Sequence, residues 1–201
     1  MSSRTGDGRG ELDELTLARA RRGDRLAQTA LVERHAARVY ALVGRLMAGH
    51  AAQVDDVAQE ALLKALRALP RFDPAGPARL STWLLTIATR CAIDALRRQR
   101  DNIVPLHGSA AAADVSAPAA DDPEHRTAHK QLGRRVEAAM AALPDDQRAV
   151  LVLRAYHDLD YDEIAAALDI ERGTVKSRLS RARSALRAVL EQPTTREGSR
   201  P

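Results

Sequence analysis

The sequence predicts an all-α protein made of two small helical domains joined by a flexible acidic linker. Hydrophobic residues make up 45% of the 201 positions and aromatic residues only 2%, so the cores must be built from Leu, Ala, Val and Ile, as in helical bundles. Apolar residues recur every three or four positions along most of the chain, which is the period of amphipathic helices. Residues 101–124 lack that period and divide the chain in two.

These observations predict a four-helix N-terminal domain at 12–100 and a helix-turn-helix domain at 125–190. The polar tails at 1–11 and 191–201 have too few apolar residues to bury, and we expect them to be disordered.

Charge follows the same division. Residues 1–100 carry 17 basic and 11 acidic side chains, and residues 125–201 carry 14 and 11. The segment between them has five acidic side chains and no Lys or Arg. The chain has a net charge of +4, and its positive charge lies in the two domains. This distribution favours acidic partners such as nucleic acid.

The first half of the N-terminal domain contains two predicted helices. A short helix starts near Glu11 and ends at Gly23, and Asp24 is placed to cap a second helix that runs to about Ala48. The apolar residues predicted on the inner side of the second helix are Leu26, Leu31, Val32, Val39, Leu42, Val43 and Leu46.

Two more helices complete this domain. The third begins at Asp55 and is stopped by Pro70, and Ser81 or Thr82 is expected to cap the fourth. The inner stripe of the fourth helix is predicted from Leu84, Ile87, Ala88, Cys91 and Ala95. The single cysteine, Cys91, excludes an internal disulfide and is expected to be a small buried hydrophobe, as in a reducing cytosol. No apolar run approaches the ~18 residues of a membrane-spanning helix, so a cytoplasmic protein is expected.

The C-terminal domain is expected to begin with a helix from His125 to Leu143, followed after Pro144 by a helix ending near His157. Asp160 and Glu163 have the spacing of a capping box for a helix of about eight residues. A turn then leads into a second helix, which completes the proportions of a helix-turn-helix.

This last helix is strongly basic, with five Arg and one Lys after Glu171 and no acid before Glu191. A helical wheel gathers Val175, Leu179, Ala182 and Leu186 into an apolar seam. The side chains opposite the seam are Lys176, Ser177, Ser180, Arg181 and Ser184. An ordinary solvated face is the alternative, but such faces usually mix acids with bases, so DNA binding is favoured.

Three stretches together resemble the sigma-70 family of bacterial RNA polymerase sigma factors, and most closely the small extracytoplasmic-function (ECF) group. They are DDVAQEALLKALRALPRFDP, STWLLTIATRCAIDALRRQR and LPDDQRAVLVLRAYHDLDYDEIAAALDIERGTVKSRLSRAR. The resemblance runs from about Leu12 to Leu190. It implies that the N-terminal domain is similar to sigma region 2, which binds core RNA polymerase and melts the minus-10 element. It implies that the C-terminal domain is similar to region 4, which reads the minus-35 element of promoter DNA.

The resemblance also implies site residues and partners. Polymerase would be bound by Asp55, Asp56, Gln59 and Glu60, although acids stabilise a helix N-terminus in any case. Minus-10 DNA would be contacted by Arg71, Phe72, Arg79, Trp83, Thr86, Arg90 and Arg97. Minus-35 DNA would be contacted by Arg172, Thr174, Lys176, Ser177, Arg178, Ser180, Arg181 and Arg183. Phe72 would stack on an extruded base. Trp83 could instead anchor the hydrophobic core, which is the alternative to a DNA contact. An anti-sigma protein is an expected partner, and no metal or cofactor is expected.

Two other function classes compete with a sigma factor. A stand-alone helix-turn-helix regulator explains residues 125–190 but leaves the N-terminal domain without a task. A nucleic-acid enzyme would have to use Asp55, Asp56 and Glu60, and the chain has no Ser-His-Asp arrangement, Gly-rich phosphate loop or HExxH motif. We therefore expect no enzyme activity. The acidic linker is expected either to mimic RNA charge inside the polymerase or to serve only as a soluble spacer.

Overall fold

The computed structural model describes residues 12–102 and 123–191, with side chains for 12–100 and 132–191. Within these ranges the fold has eight α-helices and no strand, which confirms the predicted all-α class. The helices are α1 (Glu14–Arg21), α2 (Arg25–Leu46), α3 (Val54–Ala68), α4 (Leu80–Asn102), α5 (Pro123–Ala141), α6 (Asp145–His157), α7 (Tyr161–Leu168) and α8 (Arg172–Glu191).

Helices α4 and α5 extend into the two ends of the segment predicted as a linker, at residues 101–102 and 123–124. Residues 103–122 lie outside the described residues, as do both tails except Glu191, which ends α8.

Aspartates cap the first two helices, as predicted for the second. The Asp13 carboxylate accepts a hydrogen bond from the Thr16 N–H at 2.9 Å, and Asp24 accepts one from the Ala27 N–H at 3.1 Å. Gly23 joins α1 to α2 with φ of +90°, a conformation that favours glycine. The placement of Leu26 on the inner side was wrong, because α2 turns Ala27 and Leu31 toward α1 and leaves Leu26 78% exposed.

The N-terminal domain packs α2, α3 and α4 against one another, with α1 against α2. Cys91 is buried in this core as predicted, and burial raises the pKa of its thiol. The predicted cap of the fourth helix was wrong, because α4 already begins at Leu80 and the Trp83 N–H donates to the Arg79 carbonyl. Ser81 and Thr82 therefore lie buried within its first turn.

The helix-turn-helix forms as predicted. The Asp160 side chain accepts hydrogen bonds from the backbone N–H groups of Asp162 and Glu163, and the Glu163 carboxylate accepts one from the Asp160 N–H. Asp169 takes a left-handed conformation, with φ of 54°, and turns the chain into α8. The seam of α8 is buried at Val175, Leu179 and Ala182 and partly buried at Leu186.

The two domains pack against each other in this structure. Helix α6 lies against α2, and α7 lies against α4. Apolar residues from both domains form one continuous buried cluster that includes Leu46, Leu85, Val152 and Ile164. The described chain is therefore a closed arrangement rather than two separate bodies.

Candidate polymerase and DNA interfaces

The acidic residues at the start of α3 lie on the surface. Asp55, Asp56 and Gln59 are exposed, and Glu60 is half-buried. Glu60 pairs with Lys64 at 2.8 Å and with Arg98 at 3.8 Å, and the hydrogen bond from Lys64 is the main reason that the pKa of its carboxyl is lowered. The Glu60 carboxyl therefore stays charged at neutral pH, and the exposed side chains of Asp55, Asp56 and Gln59 are accessible to a partner.

An exposed leucine extends this acidic surface, and the sequence analysis missed it. Leu63 is 53% exposed and follows Gln59 by four residues, so both side chains lie on one side of α3. The sequence did not mark this exposure, because adjacent apolar residues of a helix can both be buried, as Leu84 and Leu85 are. The surface formed by Asp55, Asp56, Gln59, Glu60 and Leu63 is called the α3 face below.

The basic residues predicted to line the minus-10 strand are mostly on the surface. Arg71, Arg79 and Arg97 are exposed. Thr86 is half-buried and donates its hydroxyl hydrogen to the Thr82 carbonyl at 2.9 Å. Arg90 points at the other domain, where its guanidinium donates to the carbonyls of two α7 alanines.

The structure does not support base stacking by Phe72. Its ring is only 6% exposed and belongs to a core cluster with Leu17, Leu69 and Leu80. The ring centroids of Phe72 and half-buried Trp83 are 5.0 Å apart, with planes inclined by 45°. Both aromatic rings anchor the loop between α3 and α4 to the core, and Trp83 thus takes the alternative role that we considered for it.

The outward face of α8 is open to solvent. Lys176, Ser177, Ser180 and Arg181 are all exposed, on the side opposite the buried seam. Thr174 is half-buried near the start of the helix, and its carbonyl accepts a hydrogen bond from the Ser177 hydroxyl at 3.0 Å. Small hydroxyl side chains between long cations allow this face to approach a DNA groove closely.

The flanking arginines of α8 differ in what they contact. Arg178 is 27% exposed and forms an ion pair with Asp146 at 3.1 Å, whereas Arg172 makes a long contact of 3.6 Å with exposed Asp162. Arg183 is exposed. Arg178 thus helps to hold α8 against α6, and Arg183 projects to solvent.

No cluster of three His, Cys, Asp or Glu side chains in the part of the chain that the structure describes could hold a metal ion. No helix there is both long and apolar enough to cross a membrane.

Comparison with known proteins identifies both domains. The family description "Sigma-70 region 2" matches residues 31–102, and "Sigma-70, region 4" matches residues 133–186. The RNA polymerase sigma-H factor of Pseudomonas aeruginosa is 35% identical over 198 residues, which cover 93% of this chain and 97% of that protein. The ECF RNA polymerase sigma-E factor of Escherichia coli K12 is 33% identical over 179 residues, covering 87% and 92%.

The fold is similar to that of one solved structure of a protein complex. The structure titled "Structure of CnrH in complex with the cytosolic domain of CnrY" aligns with a TM-score of 0.60 and 26% identity, covering 90% of this chain and 99% of that one. Nothing in the comparisons supports a stand-alone regulator, because both domains match sigma regions in the family order. The chain belongs to the sigma-70 family and is an ECF-type sigma factor that directs transcription initiation by RNA polymerase.

Proposed function

We propose that α8 reads the minus-35 element by placing Lys176, Ser177, Ser180 and Arg181 in the major groove. The observation that carries this proposal is the open face of α8, where two cations and two hydroxyls stand above a buried apolar seam. Arg and Lys can donate to guanine O6 and N7, and serine can adjust to either base of a pair. Thr174, at the start of the helix, is placed to contact the DNA backbone.

The flanking arginines have a different task in this proposal. Arg172 and Arg183 are exposed and bind phosphates, and Arg178 joins them when it exchanges Asp146 for a phosphate. Phosphate contacts fix the position of a protein on the duplex without reading its sequence.

The N-terminal domain has two proposed surfaces. The α3 face binds core RNA polymerase, and its exposed acids beside exposed Leu63 support this assignment. The minus-10 strand runs along Arg71, Arg79, Thr86, Arg90 and Arg97. In this proposal Phe72 does not contact the strand, and Trp83 acts only as an anchor of the loop between α3 and α4. We propose domain limits at 12–102 and 123–191, which include the helical ends that composition had assigned to the linker.

Two further assignments follow from the family. CnrH was solved with the cytosolic domain of CnrY, and we propose that an anti-sigma protein likewise binds this chain. We also propose that the chain works in the cytoplasm beside RNA polymerase and has no catalytic activity of its own.

The test compares one proposed base contact with one proposed phosphate contact. Arg181→Ala is expected to cost about 1 to 3 kcal/mol on the preferred minus-35 sequence and to relax preference at one base position. Arg183→Ala should weaken every sequence alike and reduce the salt slope by about 1. Arg183 is the better phosphate probe because Arg178→Ala would also break the contact with Asp146.

The measurement is the affinity of holoenzyme for a set of minus-35 variants at several salt concentrations, which separates base contacts from phosphate contacts. A uniform loss for both variants would contradict the division of labour.

A further inference from the structure

One arginine of α8 is paired with an acid of the neighbouring helix. The Arg178 Nε atom lies 3.1 Å from one carboxylate oxygen of Asp146, and the two side chains are 27% and 47% exposed. The other carboxylate oxygen accepts a hydrogen bond from the Gln147 N–H at 2.9 Å, in the first turn of α6, where the helix dipole favours a negative charge. Asp146 is therefore held in place by the backbone of α6 and can fix the guanidinium of Arg178.

The ion pair holds the Arg178 guanidinium on the α6 side of α8. Successive residues of a helix advance by about 100°, so Arg178 lies about 60° from Val175 in the buried seam. Asp146 of α6 lies on this side of α8. In this position the guanidinium can meet a phosphate only where a DNA strand runs beside the flank of α8, as it does when the helix enters the major groove. A released arginine side chain is long enough to swing toward the outward face.

The base-reading cations of α8 are not paired in this way. Lys176 and Arg181 are exposed, and neither has an acid within ion-pair distance among the described residues. Arg172 has a longer contact of 3.6 Å with Asp162, and both of these side chains are well exposed, so the pair is weak. The domain therefore neutralises the charge of Arg178 while it leaves the cations of the outward face uncovered.

The acid next to Asp146 is already engaged and does not replace it. Asp145 pairs with Arg148 at 3.2 Å and with Arg100 at 2.8 Å. Removal of the Asp146 charge would therefore release the Arg178 side chain rather than transfer it to another carboxylate.

This pairing affects binding to random DNA and to preferred DNA differently. Binding to random sequence rests on phosphate contacts, and each cation that contacts a phosphate releases a counterion and makes the affinity more sensitive to salt. An arginine that stays with its own acid adds no such contact. On the preferred sequence, base contacts fix α8 in the groove, and a phosphate beside the flank takes the place of Asp146. The gain from that exchange is then available only at the correct sequence.

We propose that Asp146 is a specificity-determining residue that acts through Arg178 without touching DNA: it holds Arg178 while the chain is on random sequence and gives it up to a phosphate only when α8 enters the groove of the minus-35 element. This proposal rests on the proposed function, because Arg178 affects specificity only if α8 binds that element. It adds a residue of α6 to the determinants of DNA preference.

The experiment measures how strongly salt weakens the binding of the full chain to two short duplexes, one with its preferred minus-35 sequence and one with the same bases in shuffled order. Asp146→Asn removes the charge and keeps the shape of the side chain. The control, Asp169→Asn, makes the same change in charge in the turn before α8, at an exposed residue without an ion pair among the described residues. Asparagine also tolerates the left-handed conformation of Asp169.

The two duplexes should respond differently to Asp146→Asn. On shuffled DNA the variant should bind more tightly than the parent, and the slope of log affinity against log salt should become steeper by about 0.9, the value of one added phosphate contact. On the preferred sequence the slope should keep its parent value, because Arg178 already contacts a phosphate there. The preference for the minus-35 sequence should therefore fall, most strongly at low salt. Asp169→Asn should leave both slopes as in the parent.

Removal of Arg178 completes the test. In the parent chain, Arg178→Ala should leave the slope on shuffled DNA unchanged, because Asp146 already keeps this arginine from phosphates. In the Asp146→Asn chain, the same substitution should return the slope to the parent value.

Three results would overturn the proposal. An unchanged slope on shuffled DNA for Asp146→Asn is one, and an equally steeper slope for the Asp169→Asn control is another. Weaker binding of Asp146→Asn to both duplexes is the third, since it would show that the ion pair only fixes α8 on α6. A parent chain with no preference between the two duplexes would instead contradict the proposed function itself, on which the role of Asp146 depends.

Discussion

His157 is a buried residue whose pKa depends on side chains of both domains. It is the last residue of α6, and its buried ring has no hydrogen-bond partner for either nitrogen among the described residues. Burial, together with the positive charges of Arg38 and Arg45 on α2, lowers the pKa of His157 to about 4, and burial is the largest of these causes. The imidazole is therefore neutral in the folded chain at neutral pH.

This burial predicts a loss of stability in mild acid. The unfolded chain binds a proton at His157 below about pH 6.5, whereas the folded chain does so only near pH 4. The contribution of neutral His157 to the free energy of unfolding is therefore fully present above pH 6.5 and decreases as the pH falls toward 4. Between pH 7.5 and 5.5 the free energy of unfolding should fall by about 1 kcal/mol on account of His157. Urea titrations of the parent chain and His157→Gln at both pH values measure this.

The comparison between the two chains isolates this histidine from the other titrating groups. The variant should lose about 1 kcal/mol less than the parent over the same pH range, whatever its stability at pH 7.5. Equal losses in both chains would show that His157 is not held neutral.

The burial of Arg148 and Phe72 could not be predicted from the sequence. Arg148 stands in the stretch DDQRAVLVLR like many surface arginines, and its burial depends on helix ends that meet only in the folded chain. Phe72 lies two residues after Pro70, at the start of a polar loop, which suggested exposure. A short 3-10 turn at Leu69–Arg71 instead folds it back onto α1 and α4.

Helices were the most predictable elements because local chemistry sets their ends. Asp24, Pro144 and the Asp160–Glu163 pair each define a start that the structure confirms. The start of α4 was less predictable, since Ser81 and Thr82 are good capping residues that tertiary packing places inside the helix instead.

The capping box of α7 should contribute measurably to stability. Asp160→Ala removes the acceptor for two backbone N–H groups at the start of an eight-residue helix, which should cost about 1 kcal/mol. Asp162→Ala on the same helix removes only an exposed contact with Arg172 and should cost less. Urea titration of both variants gives the two values, and a larger cost for Asp162→Ala would contradict the assignment of the cap.

The whole molecule must reach two promoter elements, and the closed structure explains why its linker matters. Residues 103–122 lie between α4 and α5, and 20 extended residues span at most roughly 70 Å. Such a reach allows the domains to separate on the promoter. The acidity of this segment was visible in the sequence. The packing of one domain on the other was not, because the apolar residues and backbone carbonyls that carry it meet only in the folded chain.

Binding of the α3 face to core RNA polymerase is best tested by reversing the charge of that face. Asp56→Lys with Glu60→Lys changes two surface acids, so helicity should stay close to that of the parent. Glu33→Lys with Asp94→Lys makes the same change in charge at exposed positions on α2 and α4 and serves as the control. The measurement is binding to core polymerase together with run-off transcription from a promoter used by the parent. We expect the α3 variant to form no holoenzyme and to initiate no transcript, and the control to do both. Holoenzyme formation by a folded α3 variant at the parent's affinity would contradict it.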